Sequence, residues 1–163
     1  MAAASAPVLD EEHAAFIQSG ISINAASSGP GNVPAVSRAL GCRVSADRRR
    51  VTVFVATSRS AALLEAIAAS RRIAVVFSQP STHRTIQLKG ADAARAGVED
   101  GDWALIERCA EAFGADLAAA GFGEGLAGLL LDAEPADVVA VSFSPSAAFN
   151  QTPGPGAGRP LAR

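Results

Sequence analysis

Thr57-Ser58-Arg59-Ser60 concentrates three hydroxyls and a guanidinium in four consecutive residues. They stand directly before an apolar-striped segment that reads as a helix. A helix start offers unpaired N–H groups and the positive end of the helix dipole, so the chemistry predicted is the holding of an anion such as phosphate. Ser and Thr are also common caps of helices that bind nothing, so the turn gains meaning only from its neighbours. Arg38 and Arg43 lie five residues apart on the preceding strand, and Arg84 opens a later one. If those strands are adjacent, several donors converge on the helix mouth.

Other candidates are weaker. His83 precedes Arg84 at the entry to a strand, where an imidazole titrating near neutrality could face a ligand or act as a general acid. His13 lies in an acidic N-terminal helix and reads as a surface residue. The two histidines do not form a metal set, and the two cysteines, Cys42 and Cys109, lack metal or disulfide spacing. Gly123-Glu-Gly-Leu-Ala-Gly128 fits G-x-G-x-x-G, but an alanine-rich helix precedes it where a dinucleotide fingerprint needs a strand. Glu11/Glu12 and Glu99/Asp100 sit in first-turn contexts that complement a helix dipole. No Ser–His–Asp or Cys–His arrangement follows from the spacing.

The elements that position these residues follow from periodicity. Leu9 to Ser19 reads as a short helix stopped by Gly20. Strands are predicted over Ile21–Ala26, Pro34–Val44, Arg50–Ala56, Arg72–Phe77, Arg84–Ala91 and Asp137–Phe143. Within them Val51, Val53 and Val55 oppose Thr52 and Phe54, while Ile86 and Leu88 oppose Thr85, Gln87 and Lys89. Helices are predicted over Ser60–Ala69 and Trp103–Ala120, the second broken at Gly114, with a short one carrying Leu126, Leu129 and Leu130. Residues 1–8 read as a flexible tail, 9–149 as one domain, and 150–163 as a Gly/Pro-rich tail that either docks or stays loose. Short connections argue for antiparallel pairing and a small barrel, with one helical crossover at Ser60–Ala69.

From Ile21 to Ala94 the chain resembles the flavin-binding split-barrel proteins related to pyridoxamine 5′-phosphate oxidase. The likeness rests on the R-x-x-x-x-[KR] strand Arg38–Arg43, the turn Thr57–Ser60 before a helix, and the run Phe77-Ser-Gln-Pro-Ser-Thr-His-Arg84-Thr-Ile-Gln-Leu-Lys-Gly90. The resemblance implies a mainly β fold with peripheral helices, a six-stranded antiparallel split barrel. It also implies FMN as cofactor, bound at the interface of a homodimer. Carried over, Arg38, Arg43, Val55, Ala56, Thr57, Ser58, Arg59, Ser60, Arg84, Thr85 and Gln87 become the expected cofactor contacts, with the turn at the phosphate and Thr85 and Gln87 at the ring. Ser60 stands where the family oxidase has a lysine, tyrosine is absent, and the tail has no histidine. Oxidation of pyridoxamine phosphate is therefore not expected. The expected function is a flavin-dependent oxidoreductase with an unidentified small-molecule substrate. The alternative is a non-catalytic flavin, deazaflavin or haem-binding protein.

Composition fits that class. The 163 residues are 49% hydrophobic with a mean hydropathy of +0.24, enough for one domain with a core. A formal charge of −2 gives no reason to expect nucleic acid or an anionic membrane. Arginine dominates the positive charge, with Lys89 the single lysine, which suits bidentate phosphate contacts and also follows from GC-rich coding. No apolar run reaches the roughly 18 residues of a membrane span. The N-terminus has no basic or apolar leader region, and a reducing cytoplasm is the expected location.

Overall fold

The computed structural model describes residues 9–161. Its chain order is α1 (Glu11–Ile17), β1 (Ser22–Ser28), β2 (Pro34–Val44), β3 (Val51–Ala56), α2 (Ala61–Ser70), β4 (Ile73–Ser78), β5 (Thr85–Gly90), β6 (Ala94–Ala96), α3 (Asp102–Ala119), α4 (Leu126–Leu131), β7 (Val138–Phe143) and β8 (Ala147–Asn150). The expected N-terminal tail, residues 1–8, lies outside the described residues.

All eight strands join one sheet in the order β6-β7-β3-β2-β1-β4-β5-β8, and every pairing is antiparallel. The expectation of an antiparallel sheet with peripheral helices holds, but the sheet has eight strands where six were expected, and it does not close. The two additional strands have little periodicity to read. β6 is three residues long, and β8 is a short Ala-Ala-Phe-Asn run after Pro145. The sheet curls strongly enough for its two halves to meet. A Cβ on Gly90 of β5 would stand 2.6 Å from the Phe143 ring of β7, so only glycine permits that approach.

The concave face holds the main core. Ile23, Ala25, Val51, Val53, Val55, Val75, Phe77, Ile86, Leu88 and Phe143 meet there, closed at the ends by Phe16 and Ile17 of α1 and Leu63, Leu64 and Ile67 of α2. Burial alternates along β1, β4 and β5, as period-two strands with one core face require.

The convex face is divided. Over β2, β3 and β7 it is covered by α3 and α4, where Leu40, Phe54, Ile106 and Ala140 form a second cluster. α3 runs unbroken through Gly114, contrary to the predicted break. A mid-helix glycine costs only about 1 kcal/mol relative to alanine, and Phe113 and Leu117 on either side are buried. Over β1, β4, β5 and the start of β2, no described helix covers the convex face. Val36 there is 70% exposed.

Candidate functional site

The bare half of the sheet carries a ladder of side chains fixed by strand register. Arg38 is opposite Asn24, Asn24 opposite Val76, Val76 opposite Gln87, and Gln87 opposite Phe149. Directly opposed residues point to the same side of a sheet, so the five form one row. A second row, Ser22, Ser78 and Thr85, runs beside it. The Arg38 guanidinium donates to the Ser22 hydroxyl at 3.0 Å, and the Ser78 and Thr85 hydroxyls share a 2.8 Å hydrogen bond. Partial burial holds the Arg38 pKa below its ordinary value. No carboxylate lies within ion-pair distance of Arg38 among the described residues.

This face offers an apolar patch of Val76, Ala74 and Ala26 on β1 and β4, with Phe149 beyond Gln87 on β8 under the Lys89 ammonium, 5.2 Å from its ring centre, and amide, hydroxyl and guanidinium donors beside them. A depression of about 410 Å³ lies at its end, lined by Ala26, Ser28, Arg72, Ala74 and Lys89 among others. An apolar patch with a few donors beside it is suited to a planar heteroaromatic ring. Arg38, Thr85 and Gln87 are thus brought together. Ser22, Asn24 and Ser78 join them and were not singled out from the sequence. Their signal was the i, i+2 spacing of polar residues along β1, and the same parity at the end of β4.

The predicted phosphate turn forms, but its donors are engaged within the chain. Thr57–Arg59 is a single 3₁₀ turn leading into α2. Ser58 donates its backbone N–H to Asp137 Oδ1 at 2.9 Å and its hydroxyl to Oδ2 at 2.5 Å. Those hydrogen bonds, the hydroxyl's first, hold the Asp137 carboxyl below the usual carboxylate range. Arg59 donates to the Asp132 carbonyl. Ser60 turns inward, 2.6 Å from the Ser37 hydroxyl and buried. Val55 and Ala56 are buried at the end of β3, and Thr57 is exposed.

Two arginines are placed elsewhere. Arg43 forms a two-point ion pair with Asp102 at 3.0 and 3.3 Å and reaches Glu99 at 3.1 Å, under the first turn of α3. Arg84 lies on the opposite side of β5 from Thr85 and Gln87, paired with Glu12 at 2.8 Å and stacked 4.3 Å over the Phe16 ring. The predicted convergence of Arg38, Arg43 and Arg84 on one helix mouth does not occur. Strand parity turns Arg84 toward α1, and α3 covers Arg43. His83 is exposed in a left-handed turn (φ 60°), and His13 bonds to Asp10 at 2.7 Å. The Gly123–Gly128 motif spans the turn after α3 and the first three residues of α4, a helix stop followed by a short helix with no strand before it.

No protein-family model matches the chain, and no curated protein matches it in sequence. Solved structures do resemble it. HupZ from Group A Streptococcus gives a TM-score of 0.55 at 14% identity, covering 92% of this chain and 99% of that one. An F420 reductase gives 0.51 at 17% identity, covering 86% and 98%. A Lactobacillus delbrueckii protein assigned as a pyridoxamine 5′-phosphate oxidase gives 0.52 at 16%, covering 86% and 93%. The chain has the split-barrel fold of the pyridoxamine 5′-phosphate oxidase-like proteins. At these identities the likeness is one of fold, and the split barrel's ligand must be argued from its own residues. No helix among the described residues is long and apolar enough to cross a membrane.

Proposed function

We propose that this split barrel binds a flavin-type cofactor on the bare half of its sheet and works as a flavin-dependent oxidoreductase. The observation that carries the reading is the Arg38–Asn24–Val76–Gln87–Phe149 row, in which donors stand beside apolar side chains on a face that no described helix covers. Fold likeness to an F420 reductase supports a flavin or deazaflavin ligand. A bound flavin supplies hydride chemistry, and the protein supplies its orientation and electrostatics. Val76 and Phe149 would seat the ring. Gln87, Asn24 and Thr85 would bond its polar edge, and Arg38 would favour negative charge developing there.

A second copy of the chain is the natural cover for this face. Val36, which is 70% exposed, shares this face with Val76, Ala74, Ala26, Ala147 and Phe149, and Lys89 and Gln87 stand among them, a mixture of apolar and polar side chains that suits a subunit interface. The cofactor would then lie between two subunits, as the family resemblance implies.

The absorbance spectrum of protein purified from cells, repeated after incubation with FMN, riboflavin or F420, tests the reading. Flavin-type bands are expected, with affinity reduced about tenfold or more in Arg38→Ala from loss of a charge-assisted hydrogen bond. Anaerobic bleaching by NADH or NADPH is the expected sign of an enzyme. Stable bands without bleaching favour a non-catalytic carrier, and a Soret band favours haem. Protein that takes up none of these ligands overturns the proposal.

A further inference from the structure

The Ser58 turn already holds an anion, and that anion belongs to the same chain. Asp137 accepts both the N–H and the hydroxyl of Ser58, one through each carboxylate oxygen. Arg59 adds a favourable charge, and its own guanidinium is drawn to the Asp132 carbonyl on the same connector between α4 and β7. Strand register delivers the carboxylate. Val138 is paired with Ala56, so the residue before Val138 falls beside the residues after Ala56. The connector is further fixed by the Asp137 N–H, which donates to the Glu134 carbonyl at 2.9 Å. The donors involved belong to Ser58 in the 3₁₀ turn and are separate from the N–H groups at the start of α2.

We infer that Asp137 is a resident anion that keeps phosphate out of the Ser58–Arg59 turn, so that the cofactor is selected by its ring and not by a phosphate held there. The inference deepens the flavin reading and rests on it for the ligand, but not for the occupancy of the turn. Two mechanisms exclude phosphate. The donors are already used, and a second anion at the same N–H would meet a like charge at close range. Removing the carboxylate frees the Ser58 N–H and hydroxyl together and leaves the Arg59 charge beside them without that counter-charge, with β3 and β7 still paired.

The test follows the Ser58 amide resonance while inorganic phosphate is titrated at ionic strength held constant with chloride. In the wild type this resonance is expected to behave as in the chloride control. In Asp137→Ala it is expected to shift saturably, with Asp137→Asn as a milder second variant and the dispersion of each spectrum reporting its fold. A saturable phosphate shift in the wild type, or its absence in folded variants, overturns the inference. Flavin fluorescence then links the turn to the cofactor. Wild type should bind riboflavin and FMN alike, whereas Asp137→Ala should favour FMN about tenfold, the gain from hydrogen bonds to a charged group. A tenfold FMN preference in the wild type that is lost in Ser58→Ala overturns the inference while the flavin reading stands. If neither flavin binds, the cofactor reading fails, and the phosphate titration still decides the role of Asp137.

Discussion

Arg38 and Arg43 end on the same convex face of the sheet although five residues separate them. In a regular strand an odd spacing puts two side chains on opposite faces. The register shift between Ala39 and Gly41 inserts one residue and restores the same side. Their surroundings then differ completely. Arg38 stands on the bare half with a serine hydroxyl, while Arg43 is locked to Asp102, which is 3% exposed. Arg43→Ala is therefore expected to cost about 3 kcal/mol of stability, because it takes the counter-charge from a buried carboxylate that keeps only the Glu99 N–H, and to leave cofactor affinity unchanged. Chemical denaturation together with a flavin titration checks both halves. A loss of affinity without loss of stability would return Arg43 to the cofactor site. The R-x-x-x-x-R spacing was legible as a pair of cations on one strand. Which cation remained available was not legible, since that depends on a helix some sixty positions away in sequence.

At the scale of elements, the strong alternations in the sequence match the faces of the strands. The 51–56 and 85–90 strands have the faces that their sequences predict, and the helix after the turn lies one residue later than expected. The weak elements are not legible in the sequence, for a physical reason. β8 exists because its neighbours supply partners: Ile86 through Lys89 pair with it, and the Gly/Pro-rich tail folds back along it. There Leu161 N–H donates to Ala148 O at 2.9 Å, and Phe149 bridges Pro160. The tail is thus a docked return, one of the two outcomes its composition left open. Gly90 makes an element-scale prediction. Adding a methyl group 2.6 Å from the Phe143 ring and 3.1 Å from the Ser144 carbonyl forces the two halves of the sheet apart. Gly90→Ala should cost about 1–3 kcal/mol as an overpacking change. Thermal unfolding reads this directly, and an unchanged midpoint would show that β5 and β7 do not meet this closely.

At the scale of the whole molecule, the eight strands curl around the main core, and among the described residues no helix covers the convex face over β1, β4 and β5. If a second copy completes that face, Val36→Glu should turn a dimer into a monomer and weaken flavin binding with it. Sedimentation equilibrium with and without cofactor measures both. A monomeric wild type that binds flavin at full strength would remove the shared-site arrangement and leave a cofactor held by one chain.

The sequence by itself determined the local alternations, the antiparallel class, the turn before α2 and the cations available to a site, because each depends on residues close in the chain. The tertiary structure alone decided which of them act together. A bulge set the face of Arg43, α3 covered it, strand parity turned Arg84 toward Glu12, and the pairing of Val138 with Ala56 carried Asp137 to Ser58. These are long-range registers, and a residue's neighbours across a sheet are set by the partner strand and not by its own spacing.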